Sequence, residues 1–300
     1  MVLVIDPYYG ELGAKVAHLL GDGIIKVEHK VFPDGEYYFR FVGDVLNRNV
    51  GVIVGCFPWG QNECVIRGLF LSSTLRELGA RKVVLIFPYF PYARQDKRFL
   101  PGECVSAKIV ASMIKFSGVD LIATVDVHAE EVFKFLGDSF VNISSCDVWV
   151  DYFRKNYGQK FFLVAPDEGR LEDIKKLANK LNVPYTGFRK TRDLKSGEIK
   201  GLEPMNEDEL ITYTSKYDIA VIFDDIISTG GTAARAISLL RKFFKGKIIA
   251  AFTHGLFLPG AVEKLVKAGV SEIVCTDTVR NTFCKVSVAP LLASFLKEVL

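Results

Sequence analysis

Val221-Ile222-Phe223-Asp224-Asp225-Ile226-Ile227-Ser228-Thr229-Gly230-Gly231-Thr232 decides how this chain is read. Hydrophobic and β-branched residues run into two adjacent carboxylates, then into a hydroxyl- and glycine-rich turn, then into a helical pattern from Ala233 to Phe244. The stretch predicts strand, loop and helix. A helix N-terminus leaves backbone N–H groups unpaired and carries partial positive charge, so Ser228, Thr229, Gly230, Gly231 and Thr232 can wrap a phosphate with amides and hydroxyls. Asp224 and Asp225 cannot both sit unpaired at the end of a buried strand, and a cis-diol is a neutral partner rich in donors. Phosphate on one side and hydroxyls on the other describe a ribose 5-phosphate. A Gly-Gly turn alone would be only a turn; the carboxylates and flanking hydroxyls make it a candidate site. No Lys follows the glycines, which excludes the Walker pattern.

The run is similar to the phosphoribosyl pyrophosphate (PRPP) binding motif of the type I phosphoribosyltransferase fold. At 300 residues the chain exceeds what one core usually holds, so two domains are expected. With 49% hydrophobic and 24% charged residues the composition is that of a globular protein. A net charge of +3 and a pI near 8.4 give no sign of a nucleic-acid partner. No apolar run approaches the roughly 18 residues that cross a bilayer, and Met1 to Asp6 lacks a basic leader region, so a cytoplasmic location with no membrane partner is expected. Six cysteines (Cys56, Cys64, Cys104, Cys146, Cys275, Cys284) show no C-x-x-C spacing, and reduced, structural thiols are expected.

Short β-branched runs at Val2–Ile5, Val50–Gly55, Val83–Phe87, Leu121–Asp126, Phe161–Ala165, Ile219–Phe223, Ile248–Phe252 and Ile273–Thr276 alternate with helical patterns. That alternation predicts an α/β fold of two similar domains, each a mostly parallel sheet flanked by helices. With no long linker, the change of domain is placed near Phe140 to Cys146, giving domains 1–143 and 144–284, with the segment 285–300 expected to pack on the first. An internal duplication supports the division. Lys82 to Phe87 parallels Lys247 to Phe252 at an offset of 165, and Gly118 to Asp126 parallels Gly269 to Asp277 at an offset of 151. The first copy therefore carries 14 additional residues, near Tyr92 to Pro101. Where the second copy has its two carboxylates, the first has Gly55-Cys56-Phe57-Pro58-Trp59-Gly60, which holds no sugar by carboxylates.

The added segment leaves a strand through prolines and aromatics and presents Arg94, Lys97 and Arg98. Charge runs are usually solvated faces, but ligands of open α/β sheets bind at strand carboxyl ends, so polyphosphate contact is expected here. His128 and Asp167 each follow another strand, Asp167 as the expected N-cap of a helix Leu171–Leu181. Phe32-Pro33-Asp34-Gly35-Glu36 reads as a turn between Val27–Val31 and Tyr37–Phe41. Phe188 to Gly197 concentrates four cations before a glycine, either a solvated hairpin or a lid supplying positive charge to a reacting phosphate.

Together FPDGE (32–36), PYARQDKR (91–98), DVHA (126–129), PDEG (166–169), KTR (190–192) and DDIISTGGT (224–232) closely resemble the ribose-phosphate pyrophosphokinase (PRPP synthetase) family, over nearly the whole chain and in the style of its archaeal members. The resemblance implies transfer of the β,γ-diphosphoryl group of ATP to the 1-hydroxyl of ribose 5-phosphate, releasing AMP, with Mg²⁺ as cofactor. It implies that Phe32, Asp34, Gly35 and Glu36 bind the adenine end of ATP near a neighbouring subunit, in a dimer-based homo-oligomer. Arg94 and Gln95 would hold ATP, and His128 and Asp167 would meet the metal. Lys190 and Arg192 would carry catalysis, and Arg192, Asp224, Asp225, Ser228, Thr229, Gly230, Gly231 and Thr232 would bind ribose 5-phosphate.

Two departures stand out: Glu168-Gly169-Arg170 where many relatives have His-Gly-Gly, and Ser228 where many have Asp. A phosphoribosyltransferase consuming PRPP and a nucleobase would use only the second half's motif. A non-catalytic regulatory subunit should have lost the lid cations, which remain.

Overall fold

Strands and helices alternate from end to end in the computed structural model, which describes residues 1–21, 23–57, 60–192 and 199–300, without the side chains of residues 192, 199 and 200. One unit comprises Met1–Ser145 with Ser287–Leu300, the other Cys146–Val286. The first begins with β1 (Val2–Ile5), α1 (Gly10–Leu20), β2 (Gly23–Val31), β3 (Tyr37–Val42), β4 (Asn49–Ile53) and α2 (Gln61–Glu77). It continues with β5 (Lys82–Phe87), α3 (Ser106–Phe116), β6 (Leu121–Val125) and β7 (Phe140–Ile143). The second holds α4 (Cys146–Tyr157), β8 (Phe161–Ala165), α5 (Leu171–Leu181), β9 (Tyr185–Arg192), β10 (Ile199–Pro204) and α6 (Glu207–Lys216). It closes with β11 (Ile219–Ile227), α7 (Gly231–Phe243), β12 (Lys247–Gly255), α8 (Ala261–Ala268), β13 (Glu272–Thr276) and β14 (Cys284–Val286). The last helix, α9 (Ala289–Val299), returns to the first unit and packs against α1.

The sheet orders are β3-β2-β1-β4-β5-β6-β7 and β10-β9-β8-β11-β12-β13-β14, the same arrangement repeated. In each, the two outermost strands of one edge form an antiparallel hairpin and the rest run parallel. The α/β fold with an internal duplication is therefore present as the sequence implies. Both antiparallel strand pairs occupy corresponding places in their sheets; residues 193–198, where the tip of the expected lid falls, lie outside the described residues.

Parallel sheets bury both faces, and β11 illustrates how the alternation of side chains accomplishes this. Ala220 and Ile222 pack with Leu210, Ala236, Ile237 and Leu240. Val221 and Phe223, on the other face, pack with Trp149, Phe153, Ile174 and Leu177. The strand is longer than its sequence pattern implies: it continues through Asp224, Asp225, Ile226 and Ile227, because β12 extends alongside to Gly255 and supplies partners. The carboxylates therefore stand on the end of a strand and not beyond it. Gly51 in β4 matters for α9: a Cβ there would stand 2.9 Å from Leu296.

In the first unit Asp6, fully buried after β1, is held by Arg67 of α2 with Nε–Oδ2 at 2.9 Å, and Arg67 Nη2 also donates to Gly55 O at 2.8 Å. Burial pushes the Asp6 carboxyl up while Arg67 pulls it back. Breaking a buried pair from one side strands a charge, so Arg67→Met is expected to cost about 3–5 kcal/mol of unfolding free energy. Urea denaturation followed by circular dichroism checks this; an unchanged midpoint would mean that Arg67 does not stabilise Asp6.

The expectation of reduced thiols needs correction. Cys56 and Cys64, both fully buried, are joined in a disulfide with Cα atoms 5.3 Å apart, while Cys104, Cys146, Cys275 and Cys284 take part in no disulfide. Cys56 follows β4 and Cys64 lies in α2, a proximity that residue spacing does not reveal.

Candidate functional site

In the second unit the end of β11 places two carboxylates beside β8, on which the register pairs Val164 with Ile222. Asp224 and Asp225 keep only 14% and 6% of their side-chain surface exposed. Arg170 reaches both, with Nη2 3.1 Å from Asp225 Oδ2 and Nε 3.6 Å from Asp224 Oδ1, and it also meets Asp173 Oδ2 at 3.2 Å. Burial, then the adjacent Asp225, push the Asp224 carboxyl well above the ordinary carboxylate value, with Arg170 opposing them. Burial works against the Arg170 charge too, but Asp225, Asp224, Asp173 and Asp167 together raise its pKa further.

Beyond β11 the chain turns at Ser228, Thr229 and Gly230 and enters α7 at Gly231, two residues earlier than the sequence pattern places it. Gly230 takes φ +73°, and a Cβ on it would stand 3.0 Å from the Ala261 carbonyl oxygen, so no other residue fits without strain. Ser228 O accepts from Leu258 N at 3.0 Å, and Thr229 O accepts from Lys264 Nζ at 3.1 Å. These bonds hold the turn open toward the first N–H groups of α7, which lack intrahelical partners, and the first turn carries no acidic residue to compete with an anion.

Asp167 does not cap α5. Its Oδ1 accepts from Gly169 N at 3.1 Å and caps a short 3-10 turn, Glu168–Arg170, that precedes that helix. That turn carries Arg170 toward β11. Asp167 Oδ2 pairs with Lys190 Nζ of β9 at 2.7 Å, with the side chains 20% and 35% exposed. A residue expected to meet the metal and a residue expected to carry catalysis are therefore neighbours. Arg192 ends β9 opposite Ile199, and its side chain lies outside the described residues.

In the first unit, the Phe32–Glu36 segment is an exposed turn closed by Phe32 N to Glu36 O at 2.8 Å and Gly35 N to Phe32 O at 2.9 Å. Asp34 Oδ1 accepts from Glu36 N at 3.2 Å, and Lys30 Nζ stands 4.5 Å from the centre of the Phe32 ring. Gly35 and Glu36 line a cavity of about 460 Å³ with Tyr37, Asn62, Glu63, Ile66 and Phe70. Asn62 Oδ1 accepts from the hydroxyl of Tyr92, so the added segment is anchored at the rim of this cavity. Arg94 is exposed and Gln95 half-buried, with Gln95 N donating to Tyr92 O at 3.1 Å. His128, half-buried, follows β6; Asp126 before it binds Ser145 N at 3.0 Å and the Ser145 hydroxyl.

Among the described residues no group of three or more His, Cys, Asp or Glu could hold a metal ion by itself. The partly exposed Asp167 carboxylate is a hard oxygen of the kind Mg²⁺ uses. Sequence reading missed Asn62, Lys264 and the engagement of Arg170. Only the β8–β11 register could have indicated that Arg170 meets the two carboxylates, and Lys264 reaches the turn from 35 residues away. Among the described residues no helix is long and apolar enough to cross a membrane.

Residues 1–118 match the family model described as the N-terminal domain of ribose phosphate pyrophosphokinase, and residues 149–283 match the phosphoribosyl transferase domain. The chain is 32% identical over 299 residues to a ribose-phosphate pyrophosphokinase of Sulfurisphaera tokodaii, covering 100% of both chains. It is 36% identical to that of Thermococcus kodakarensis over 272 residues, 91% of this chain and 92% of the other. Its fold is similar to the crystal structure of phosphoribosylpyrophosphate synthetase from Mycobacterium smegmatis, with a TM-score of 0.86 at 28% identity, covering 99% of this chain and 98% of that one. With full-length relatives at this identity and the same two-part fold, the chain belongs to the ribose-phosphate pyrophosphokinase family.

Proposed function

We propose that the chain is an active ribose-phosphate diphosphokinase that makes PRPP and AMP from ATP and ribose 5-phosphate for nucleotide biosynthesis in the cytoplasm. The observation that carries this reading is the end of β11, where Asp224 and Asp225 lead directly into the Ser228–Gly230 turn at the start of α7. In this reading the second unit holds the sugar phosphate: Asp224 and Asp225 accept hydroxyls, and Ser228, Thr229, Gly230, Gly231 and Thr232 wrap the 5-phosphate. The first unit presents ATP, with Phe32, Asp34, Gly35 and Glu36 at the adenine and Arg94 and Gln95 at the phosphates.

The reaction forms a bond from the ribose 1-oxygen to the β-phosphorus and breaks the bond from that phosphorus to the α,β-bridging oxygen. The hydroxyl proton leaves to solvent and AMP departs with the bridging oxygen. Such transfers rest on in-line positioning and charge neutralisation. His128 and Asp167 would hold Mg²⁺, which supplies neutralisation of phosphate charge when bound. Lys190 and Arg192 bring positive charge to the oxygens that gain charge in the transition state.

A dimer-based assembly, with the adenine site near a subunit interface, belongs to the same proposal. It draws support from α2 and α3, which pack together and expose Ile66, Phe70, Ile109, Met113 and Phe116, the last 94% exposed. Light scattering that returned a monomer would remove this part.

Incubating the pure protein with ATP, Mg²⁺ and ribose 5-phosphate tests the activity through the appearance of AMP. A phosphoribosyltransferase would leave ATP untouched and need PRPP and a base; a regulatory subunit would give no product. Lys190, kept and seated at 2.7 Å from Asp167, favours the active enzyme over the regulatory subunit.

A further inference from the structure

We propose that Arg170 is a positioning residue of the sugar subsite, setting the affinity for the phosphorylated sugar by offsetting the charge of Asp224 and Asp225; this rests on the reading of that subsite given above. The geometry is specific to one side chain. Arg170 ends the 3-10 turn that Asp167 caps, and its guanidinium meets Asp225 at 3.1 Å, Asp224 at 3.6 Å and Asp173 at 3.2 Å, with only 16% of its side chain exposed. Asp167, the remaining carboxylate of this corner, is paired separately with Lys190.

A sugar phosphate approaching this corner is itself an anion, and its phosphate must settle on a loop that starts three residues after Asp225. Two uncompensated carboxylates at the end of a half-covered strand would repel it. One of them would also tend to take a proton and lose its capacity as a double acceptor for the diol. A fixed guanidinium opposes both penalties. It reaches Asp225 Oδ2 at 3.1 Å and Asp224 Oδ1 at 3.6 Å from the turn that follows β8. Lysine, a point charge, supplies the neutralisation without the fork. Methionine or glutamine supplies neither charge nor, for methionine, a donor.

Isothermal titration of ribose 5-phosphate into the full chain, with ATP analogue titrations in parallel, tests this. Arg170→Met is expected to bind ribose 5-phosphate about tenfold or more weakly, with Arg170→Lys recovering most of the loss and the affinity for the ATP analogue changing less than about twofold. The gap between the native chain and Arg170→Met should narrow as ionic strength rises from about 0.02 M to about 0.3 M, because the repulsion is partly screened. A residue with only a packing role would show neither the lysine rescue nor the salt effect. Melting curves confirm folding; should Arg170→Met fail to fold, Arg170→Gln is measured in its place. Equal binding by the native chain and the uncharged variant, or a lysine variant as weak as methionine, overturns the proposal while leaving the sugar subsite standing. No binding by the native chain overturns the subsite itself.

Discussion

Lys190→Ala is expected to lower turnover by about 100-fold or more while leaving ATP affinity nearly intact, the pattern produced by losing a donor that acts only in the transition state. Lys190 sits near the end of β9, paired in register with Leu202, on the edge hairpin of the second sheet. Its side chain is 35% exposed, and its ammonium is tied at 2.7 Å to Asp167. A partly exposed ion pair contributes little to stability, about 0–1 kcal/mol, so a large kinetic effect in this variant cannot be assigned to unfolding. Steady-state rates with ATP and ribose 5-phosphate varied separately resolve kcat from KM. Full activity would remove the lid hypothesis. A rise in KM with kcat unchanged would make Lys190 a binding residue only.

Asp224→Asn is expected to weaken ribose 5-phosphate by about 10- to 100-fold, the loss of a charge-assisted hydrogen bond, with a much smaller effect on ATP. Equal weakening of both ligands would mean that the division of labour between the units is wrong. The same variant should be more stable than the native chain at neutral and alkaline pH. Burial and Asp225 raise the Asp224 pKa, so the folded chain binds the proton more tightly than the unfolded one. The native chain therefore loses stability as pH rises from the ordinary carboxylate value of 3.8 up to the raised folded value, and the loss is complete above it. Asparagine carries no such dependence. The melting temperature of Asp224→Asn should thus exceed the native value most at high pH, with the difference closing toward pH 3.8. A gain in stability accompanied by a loss of ligand is the signature of a residue kept for binding.

Much of the fold is written in short β-branched runs that alternate with helical patterns and in the internal repeat. The eight β-branched runs all became parallel strands, and the offset copies at Phe87 and Phe252 lie in β5 and β12, which hold the same place in their sheets. What the pattern could not carry depends on partners distant in sequence. β11 runs on through its carboxylates because β12 extends beside it, a tertiary effect with no local signal. Asp167 has the right chemistry for a cap, but a 3-10 turn precedes α5 and its Gly169 N donates to Asp167, so Asp167 caps that turn instead of α5. Cys56 after β4 and Cys64 in α2 are bonded, and nothing in an eight-residue spacing announces it. The site was most legible where it is contiguous, from Asp224 to Thr232, and least legible where it is assembled, as in Arg170 reaching across from the end of β8 and Lys264 from α8.

The central claim is that the chain moves two phosphates together from ATP to the sugar. Following the pure protein with ATP, Mg²⁺ and ribose 5-phosphate by ³¹P NMR tests it most directly. AMP and a sugar 1-diphosphate are expected to accumulate in equal amounts. Accumulation of ADP with a singly phosphorylated 1-position, or unchanged ATP under conditions where both substrates bind, would contradict it.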